Sequence, residues 1–237
     1  MARRSIDAGT PDRTFYLLLF LASYVVWMAL YRSVGAVAVT FDAHDLSTSW
    51  DRALPVWPQW VWIYDFCFLL PGFLVLLLKD GHAINRLVIA IFVAAVSASV
   101  LFLLVPIAHP FPELGSGVAE RWVTLHYEND FPPGANKMPS LHVINAILFW
   151  LAVRHGSSSR LANGVMFILA VLISASTVLI KQHLIVDVLL GVPWAFATWW
   201  VTSRIYASLE ALQLGPEDTV RHVRGKVARY VGLQKMV

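Results

Sequence analysis

Residues 136–153 read "NKMPSLHVINAILFWLAV", in which a polar segment runs directly into an apolar one. Lys137, Ser140 and His142 stand close together, and the residues from Val143 to Val153 contain a single polar side chain, Asn145. Serine is a favoured N-cap residue, so this pattern predicts that a largely apolar helix begins near Ser140. Reactive side chains at the N-terminal end of an apolar helix indicate a membrane helix bundle with a polar site at one end.

The composition extends this prediction to the whole chain. Of its 237 residues, 58% are hydrophobic and only 14% are charged. A soluble domain of this length needs a more highly charged surface. We therefore expect an all-α, polytopic membrane protein with one membrane domain at 1–210 and a basic cytoplasmic tail at 211–237. Cys67 is the single cysteine, which excludes an intramolecular disulfide and a cysteine-based metal cluster.

Apolar runs predict six transmembrane helices in one bundle. They are Phe15–Gly35, Gln59–Leu78, Leu87–Ala108, Leu141–Val153, Leu161–Ile180 and Leu184–Arg204. A hydrocarbon core of about 30 Å needs roughly 20 helical residues, and the fourth run is shorter than that. The first run follows several arginines, as a signal peptide would, but it is long for a signal. We expect this first helix to be retained.

The basic residues predict the orientation of the bundle. Of the 18 Lys and Arg residues, 13 fall on the side of the topology that carries both termini. Loops rich in Lys and Arg face the cytoplasm. We therefore expect both termini in the cytoplasm, with the loops at 36–58 and 109–140 on the extracytoplasmic face of a plasma or inner membrane.

A second polar segment, "KQHLIVD" at 181–187, precedes the sixth run. His183 and Asp187 are four positions apart and share one helix face. A carboxylate that binds one imidazole nitrogen leaves the other nitrogen free to attack phosphorus. An aspartate in an apolar run costs about 3 kcal/mol on insertion scales, so it needs a partner. We predict that Asp187 orients His183 as a nucleophile, and that His142 protonates the leaving oxygen.

The starts of the fourth and sixth runs also predict an anion site. Both helices run inward, so their N-terminal ends meet at one face of the membrane. Each helix start carries partial positive charge and free backbone N–H groups, and Lys137 and Lys181 add full charges. Phosphate is the natural occupant of such a site. The hydroxyl of Ser140 is suited both to cap its helix and to contact the phosphate.

These two segments resemble the second and third signature motifs of the type 2 phosphatidic acid phosphatase superfamily. The usual P-S-G-H corresponds to Pro139, Ser140, Leu141 and His142. The usual S-R-x5-H-x3-D corresponds to Ser176, Thr177, His183 and Asp187. The resemblance implies that His183 forms a phosphohistidine while Asp187 orients it. It also implies that His142 acts first as an acid and then as a base, and that Ser140 contacts the phosphate.

The chain departs from that family at three expected cations. In the first motif, K-x6-R-P, Phe102 stands at the lysine position and His109 at the arginine position, and Thr177 replaces the arginine of the third motif. This pattern is most similar to the inositol phosphorylceramide synthase-like branch. We predict that Lys137 and Lys181 replace the lost charge. His109 and Arg121 are weaker candidates for the same role.

The expected activity is transfer of a phosphoryl group or phospho-headgroup from a membrane lipid. With water as the acceptor the enzyme is a lipid phosphatase, and with an alcohol or a lipid as the acceptor it is a transferase. Helix dipoles and lysines supply the charge stabilisation, so we expect no metal and no cofactor. No motif predicts a nucleic-acid partner. The alternative is a transporter or channel-like protein, for which Asp65 and Arg32 are the best support.

Overall fold

A computed structural model describes residues 13–107, 109, 111–130 and 135–211. This part of the chain contains α-helices and no β-strand, which confirms the predicted all-α class. The helices are α1 Arg13–Ala38, α2 Ser49–Ala53, α3 Val61–Leu77, α4 Gly81–Leu104, α5 Val118–Asn129, α6 Leu141–Gly156, α7 Arg160–Leu179 and α8 Ile185–Ala211, and a 3₁₀ turn at Pro58–Trp60 precedes α3. The predicted basic tail lies outside the described residues beyond Ala211, where α8 ends.

Five helical segments are long and apolar enough to cross a membrane. They are Arg13–Ala38, Pro58–Leu77, Gly81–Leu104, Arg160–Leu179 and Ile185–Leu209. These segments indicate a membrane protein, and large apolar side chains such as Leu21 and Leu104 are exposed on their outer faces. The remaining predicted span is α6, whose 16 residues extend about 24 Å. That length is below the thickness of a hydrocarbon core, so a sixth membrane crossing stays a prediction.

The short helix α6 is the centre of the bundle, since it packs against α3, α4, α7 and α8. Almost all of its apolar side chains are buried, including Ile144 and Leu148. The helix α4 contributes Ala90, Ala94 and Ala98 to the same core, and small side chains let helices approach closely. Packing against four helices therefore buries most of α6 inside the protein.

Helix α4 begins at Gly81, six residues before its predicted start at Leu87. The carboxylate of Asp80 caps it by accepting a hydrogen bond of 3.0 Å from the His82 N–H. The helix ends at Leu104, two residues before Pro106. The residue before a proline is disfavoured in the helical conformation, so an end at this point is expected. The predicted run Leu87–Ala108 was therefore too long at its C-terminal end.

Two helices that the sequence pattern did not predict, α2 and α5, lie at the end of the bundle where α6 and α8 begin. One face of α5 is buried, through Ala119, Val123 and Tyr127, and it packs in a cluster with Val61. The hydroxyl of Tyr127 donates a hydrogen bond of 2.5 Å to the carbonyl of Ile180, in the turn between α7 and α8. Helix α5 therefore covers and fixes the segment that leads into His183.

Candidate active site

His183 and Asp187 form a buried pair at the start of α8. The Nδ1–H of His183 donates to Asp187 Oδ2 at 3.2 Å, and the Leu184 N–H donates to the same oxygen at 3.0 Å. The Asp187 side chain is fully buried, and the His183 N–H is anchored to the Thr177 carbonyl at 3.0 Å. This arrangement directs Nε2 of His183 away from the carboxylate and leaves it available as a nucleophile.

His142 lies in the first turn of α6 and faces His183, with 6.1 Å between the two ring centroids. Its ring stacks on Tyr64 at 4.1 Å, and the Tyr64 hydroxyl oxygen lies 3.3 Å from His142 Nδ1. Nε2 of His142 is buried, and no described residue forms a hydrogen bond with it. A buried polar atom without a partner is costly, so it indicates a position reserved for a ligand.

Backbone contacts set the distance between the two histidines. The Ser140 N–H donates to the Asp187 carbonyl at 3.1 Å, which ties the start of α6 to α8. Gly191 makes this close approach feasible, since a Cβ there would lie 3.1 Å from the Val143 side chain. Ser140 is fully buried, and its hydroxyl caps α6 by accepting a hydrogen bond from the Val143 N–H at 3.4 Å. The predicted capping role of Ser140 is thus observed, while its predicted phosphate contact stays a prediction.

A cavity of about 340 Å³ opens beside the two histidines. Its polar wall consists of Tyr31, Arg32, Tyr64, His126, Asn129, Asp130, Asn136, Lys137, His142, Gln182 and His183. Lys137 is buried, and its ammonium donates to the Asp130 carboxylate and, at 2.6 Å, to Gln182 Oε1. The structure therefore places the predicted residue Lys137 in the same cavity as His142 and His183.

Lys181, His109 and Arg121 do not line this cavity. The Lys181 ammonium donates to the Asp51 carbonyl at 2.5 Å, and Nε2–H of His109 donates to the Lys181 carbonyl at 2.8 Å. Arg121 is exposed and donates to the Ser116 carbonyl at 2.7 Å. Burial lowers the pKa of both Lys181 and His109. In this structure Lys181 and His109 hold the turn that precedes α8, and Arg121 of α5 binds the loop that precedes its own helix.

Asp51, in the short helix α2, supports the start of α8 and was missed by the sequence analysis. Its Oδ1 accepts a hydrogen bond of 2.8 Å from the N–H of Ile185, the first residue of α8. Burial acts to raise the pKa of this carboxyl, but hydrogen bonds from Thr48 and Ile185 hold it below its ordinary value. The partial positive charge at the N-terminal end of α8 attracts this ionised carboxylate, so the contact stabilises the start of the helix.

Arg32 and His126 also line the cavity, and the sequence analysis did not predict them as site residues. They become neighbours of the catalytic histidines only through the fold. Asp65 Oδ1 lies 2.9 Å from Nε2 of His126, and its other oxygen accepts a hydrogen bond from the Trp122 indole at 2.6 Å. Arg32 donates to the Asn129 carbonyl at 2.5 Å. These contacts join α1 and α3 to α5, and they place a cation, Arg32, and an imidazole, His126, in the cavity wall.

Two of the three departures from the family pattern, Phe102 and Thr177, also have defined places in the structure. Phe102, at the position of the expected lysine, is buried in the hydrophobic core of the bundle. Thr177, at the position of the expected arginine, uses its carbonyl to accept the N–H groups of Gln182 and His183. Among the described residues, no group of three or more His, Cys, Asp and Glu side chains is placed to hold a metal ion. The prediction that the reaction needs no metal awaits a test.

The sequence of the chain resembles that of known proteins. The chain is 26% identical to the uncharacterized protein MJ0662 of Methanocaldococcus jannaschii over 152 residues, which are 63% of this chain and 61% of that relative. No solved structure matches. A family model of the PAP2 superfamily matches residues 38–201, well over half of the chain and all of the site built by α6 and α8. The chain therefore belongs to the PAP2 superfamily.

Proposed function

We propose that this membrane enzyme cleaves or transfers the phosphoryl group or phospho-headgroup of a lipid phosphoester through a phosphohistidine on His183. Membership of the PAP2 superfamily supports phosphatase or phosphotransferase activity. The observation that carries the mechanism is the pairing of His183 with Asp187 in a cavity where Nε2 of His142 has no hydrogen-bond partner among the described residues. The lipid substrate is supported by the apolar helices that surround the site.

In the first step, the lone pair of His183 Nε2 forms a bond to phosphorus, and the bond from phosphorus to the leaving oxygen breaks. His142 delivers its Nε2 proton to that oxygen. Asp187 accepts a hydrogen bond from the Nδ1–H of His183 and stabilises the positive charge that develops on the ring. In the second step, His142 takes the proton of the acceptor hydroxyl, whose oxygen attacks phosphorus and releases His183.

Tyr64 is well placed to serve His142 in both steps. Its hydroxyl oxygen lies 3.3 Å from His142 Nδ1, and a hydroxyl both donates and accepts hydrogen bonds. When His142 is the acid it is an imidazolium, in which Nε2 carries the transferable proton and Nδ1–H donates to the Tyr64 hydroxyl oxygen. When neutral His142 is the base, Nδ1–H donates to Tyr64. We therefore assign Tyr64 as the residue that positions His142, because its hydroxyl accepts the Nδ1–H in both protonation states and keeps Nε2 directed at the substrate.

Charge on the phosphate is balanced by Arg32, Lys137 and the N-terminal end of α6. The phosphate competes with Asp130 for Lys137, because the two groups bind the same ammonium. No phosphate contact is assigned to Lys181, His109 or Arg121, since none of them lines the cavity. A transporter is not favoured, because Asp65 and Arg32, its best support, bind His126 and Asn129.

The acceptor decides between a phosphatase and a transferase similar to inositol phosphorylceramide synthases, and both share the same catalytic residues. We expect the purified full-length chain to release phosphate, or to form a new phosphodiester, with at least one member of a panel of phospholipids and phosphorylated lipids. The panel is assayed with and without a second alcohol, and products are identified by mass spectrometry. We expect EDTA to leave the rate unchanged. Failure to turn over any phosphoester would contradict the proposed function.

The proposed extracytoplasmic position of the site is tested by labelling from outside intact cells. Ser116 lies beside α5 at the end of the bundle that carries the site, and Ser158 lies in the loop between α6 and α7 at the other end; both are exposed. Single cysteines at these two positions, in a Cys67→Ala background, should differ in their labelling by a membrane-impermeant maleimide added outside the cells. Ser116→Cys should be labelled and Ser158→Cys should not, and the reverse pattern would place the site in the cytoplasm.

A further inference from the structure

A second cavity, of about 330 Å³, adjoins the catalytic cavity. The two cavities share four lining residues, Trp27, Phe68, Leu141 and His142. The second cavity, which we call the apolar groove, lies between α1, α3 and α6, with Ile91 of α4 also in its wall. The shared residues make the two cavities neighbouring parts of one binding region, with His142 at their junction.

The apolar groove has the chemistry of a hydrocarbon site. Its wall includes Leu17, Phe20, Leu21, Cys67, Pro71 and Phe149, and its polar side chains are few. The groove extends along α1 from Trp27 to Leu17, a distance of about 15 Å at the rise of an α-helix. Leu21 and Phe68 are exposed on the outer face of the bundle, so the groove borders the surface that contacts lipid.

We propose that the apolar groove holds the hydrocarbon tail of the lipid whose phosphoester is attacked, so that the lipid alcohol is the leaving group. This inference rests on the function proposed above. His183 lines only the polar cavity, whereas His142 lines both the cavity and the groove. The phosphorus atom therefore lies on the polar side, and the oxygen that His142 protonates lies at the entrance to the groove.

The chemical step balances with this placement. The bond between phosphorus and Nε2 of His183 forms, the bond between phosphorus and the lipid oxygen breaks, and the Nε2 proton of His142 completes the lipid alcohol. The alcohol, with its tail in the groove, leaves along the outer face of the bundle, while the phosphoryl group or phospho-headgroup stays on His183. A soluble phosphoester has no tail for the groove and gains nothing from it.

Gly72 offers a direct test, because it lines the groove and a Cβ added there would meet no atom within 4 Å. Replacement by leucine therefore fills the groove without a backbone clash. Gly164, in α7, also has open space around its Cβ position but lies outside the groove, so Gly164→Leu is the matched control. Both variants add the same apolar side chain to a membrane helix.

We expect Gly72→Leu to lower the ratio of kcat/KM for a long-chain alkyl phosphate over kcat/KM for a short soluble phosphoester by about tenfold or more. Gly164→Leu should leave this ratio unchanged. An unchanged ratio in Gly72→Leu, with the soluble phosphoester still turned over, would overturn the groove assignment while leaving the proposed function intact. A wild-type chain that turns over neither substrate would instead contradict the proposed function.

Photochemical cross-linking of the wild-type chain gives a second test that does not depend on folding of a variant. A long-chain alkyl phosphate with a diazirine in its tail should label peptides of α1 and α3. An excess of unlabelled alkyl phosphate should suppress this labelling, and a neutral phospholipid should not. Labelling on the outer faces of α7 and α8, or equal suppression by the neutral phospholipid, would show that the groove does not select this substrate.

Discussion

His183→Ala is expected to abolish turnover of every phosphoester substrate, with a loss of roughly 10⁴-fold or more in kcat. The physical reason is that the substitution removes the atom that bonds to phosphorus. The single cysteine, Cys67, lines the apolar groove on another helix and does not take its place. The measurement is kcat with the best substrate of the panel, for protein shown to be folded by its thermal unfolding transition.

Asp187→Asn tests the orienting partner in the same assay. The amide keeps the size of the carboxylate, but it presents no negative charge to Nδ1 of His183 and leaves the ring in a less productive tautomer. We expect a loss of about 10² to 10⁴ in kcat. His155→Ala is the control, because this histidine lies at the opposite end of α6, stacked on Trp199. Rates of His183→Ala or Asp187→Asn close to the wild-type rate would contradict the assigned roles.

His142→Ala is expected to slow the reaction about as much as Asp187→Asn does, but the size of its effect should depend on the leaving group. With an alkyl phosphate, whose alkoxide is a poor leaving group, we expect a loss of about 10² to 10⁴ in kcat/KM, which reports the first step. With an aryl phosphate such as para-nitrophenyl phosphate the loss should be far smaller, because the phenolate leaves without a proton. The comparison is made by measuring kcat/KM with both substrates for the variant and the wild type, since kcat also contains the second step, in which His142 acts as a base on either substrate.

The contrast between the two substrates separates an acid from a merely structural residue. A change that only disturbs packing around Tyr64 and Phe68 would slow both reactions alike. Equal losses on the alkyl and aryl substrates would therefore remove His142 from the role of acid. The same assay on His155→Ala should give wild-type ratios.

The parts of the site that could be predicted from the sequence are the parts encoded locally. Ser140 is a cap followed by an apolar run, and α6 begins at Leu141 as this pattern predicts. His183 and Asp187 are four residues apart, and the structure brings them within hydrogen-bond distance. Neither inference needed knowledge of another helix.

The parts that could not be predicted depend on contacts between distant segments. The bond from Ile185 to Asp51 joins residues 134 positions apart, and the contact between Tyr64 and His142 joins residues 78 positions apart. Thr48 and Asp51 form a capping box that is visible in the sequence, but its partner in α8 is not. Helix α5 was missed because its apolar face is narrow and its remaining residues are polar.

The two lysines show how local patterns can leave a choice open. Lys137 and Lys181 each precede a motif histidine, and the sequence predicted the same role for both. In the structure Lys137 lies in the cavity, whereas Lys181 adopts a left-handed backbone conformation, with φ of 56°, and its ammonium reaches the carbonyl of Asp51. This distinction follows from the path of the turn between α7 and α8, which the sequence alone did not reveal.

The measurement that tests the central claim most directly is trapping of the covalent intermediate. The full-length chain is mixed with a substrate labelled with ³²P in the transferred group, quenched rapidly without acid, and digested for peptide mapping. A phosphorus–nitrogen bond is stable to base and labile to acid. We predict label on the peptide that contains His183, and none in His183→Ala. Label on Ser140, or turnover without any covalent intermediate, would contradict the account.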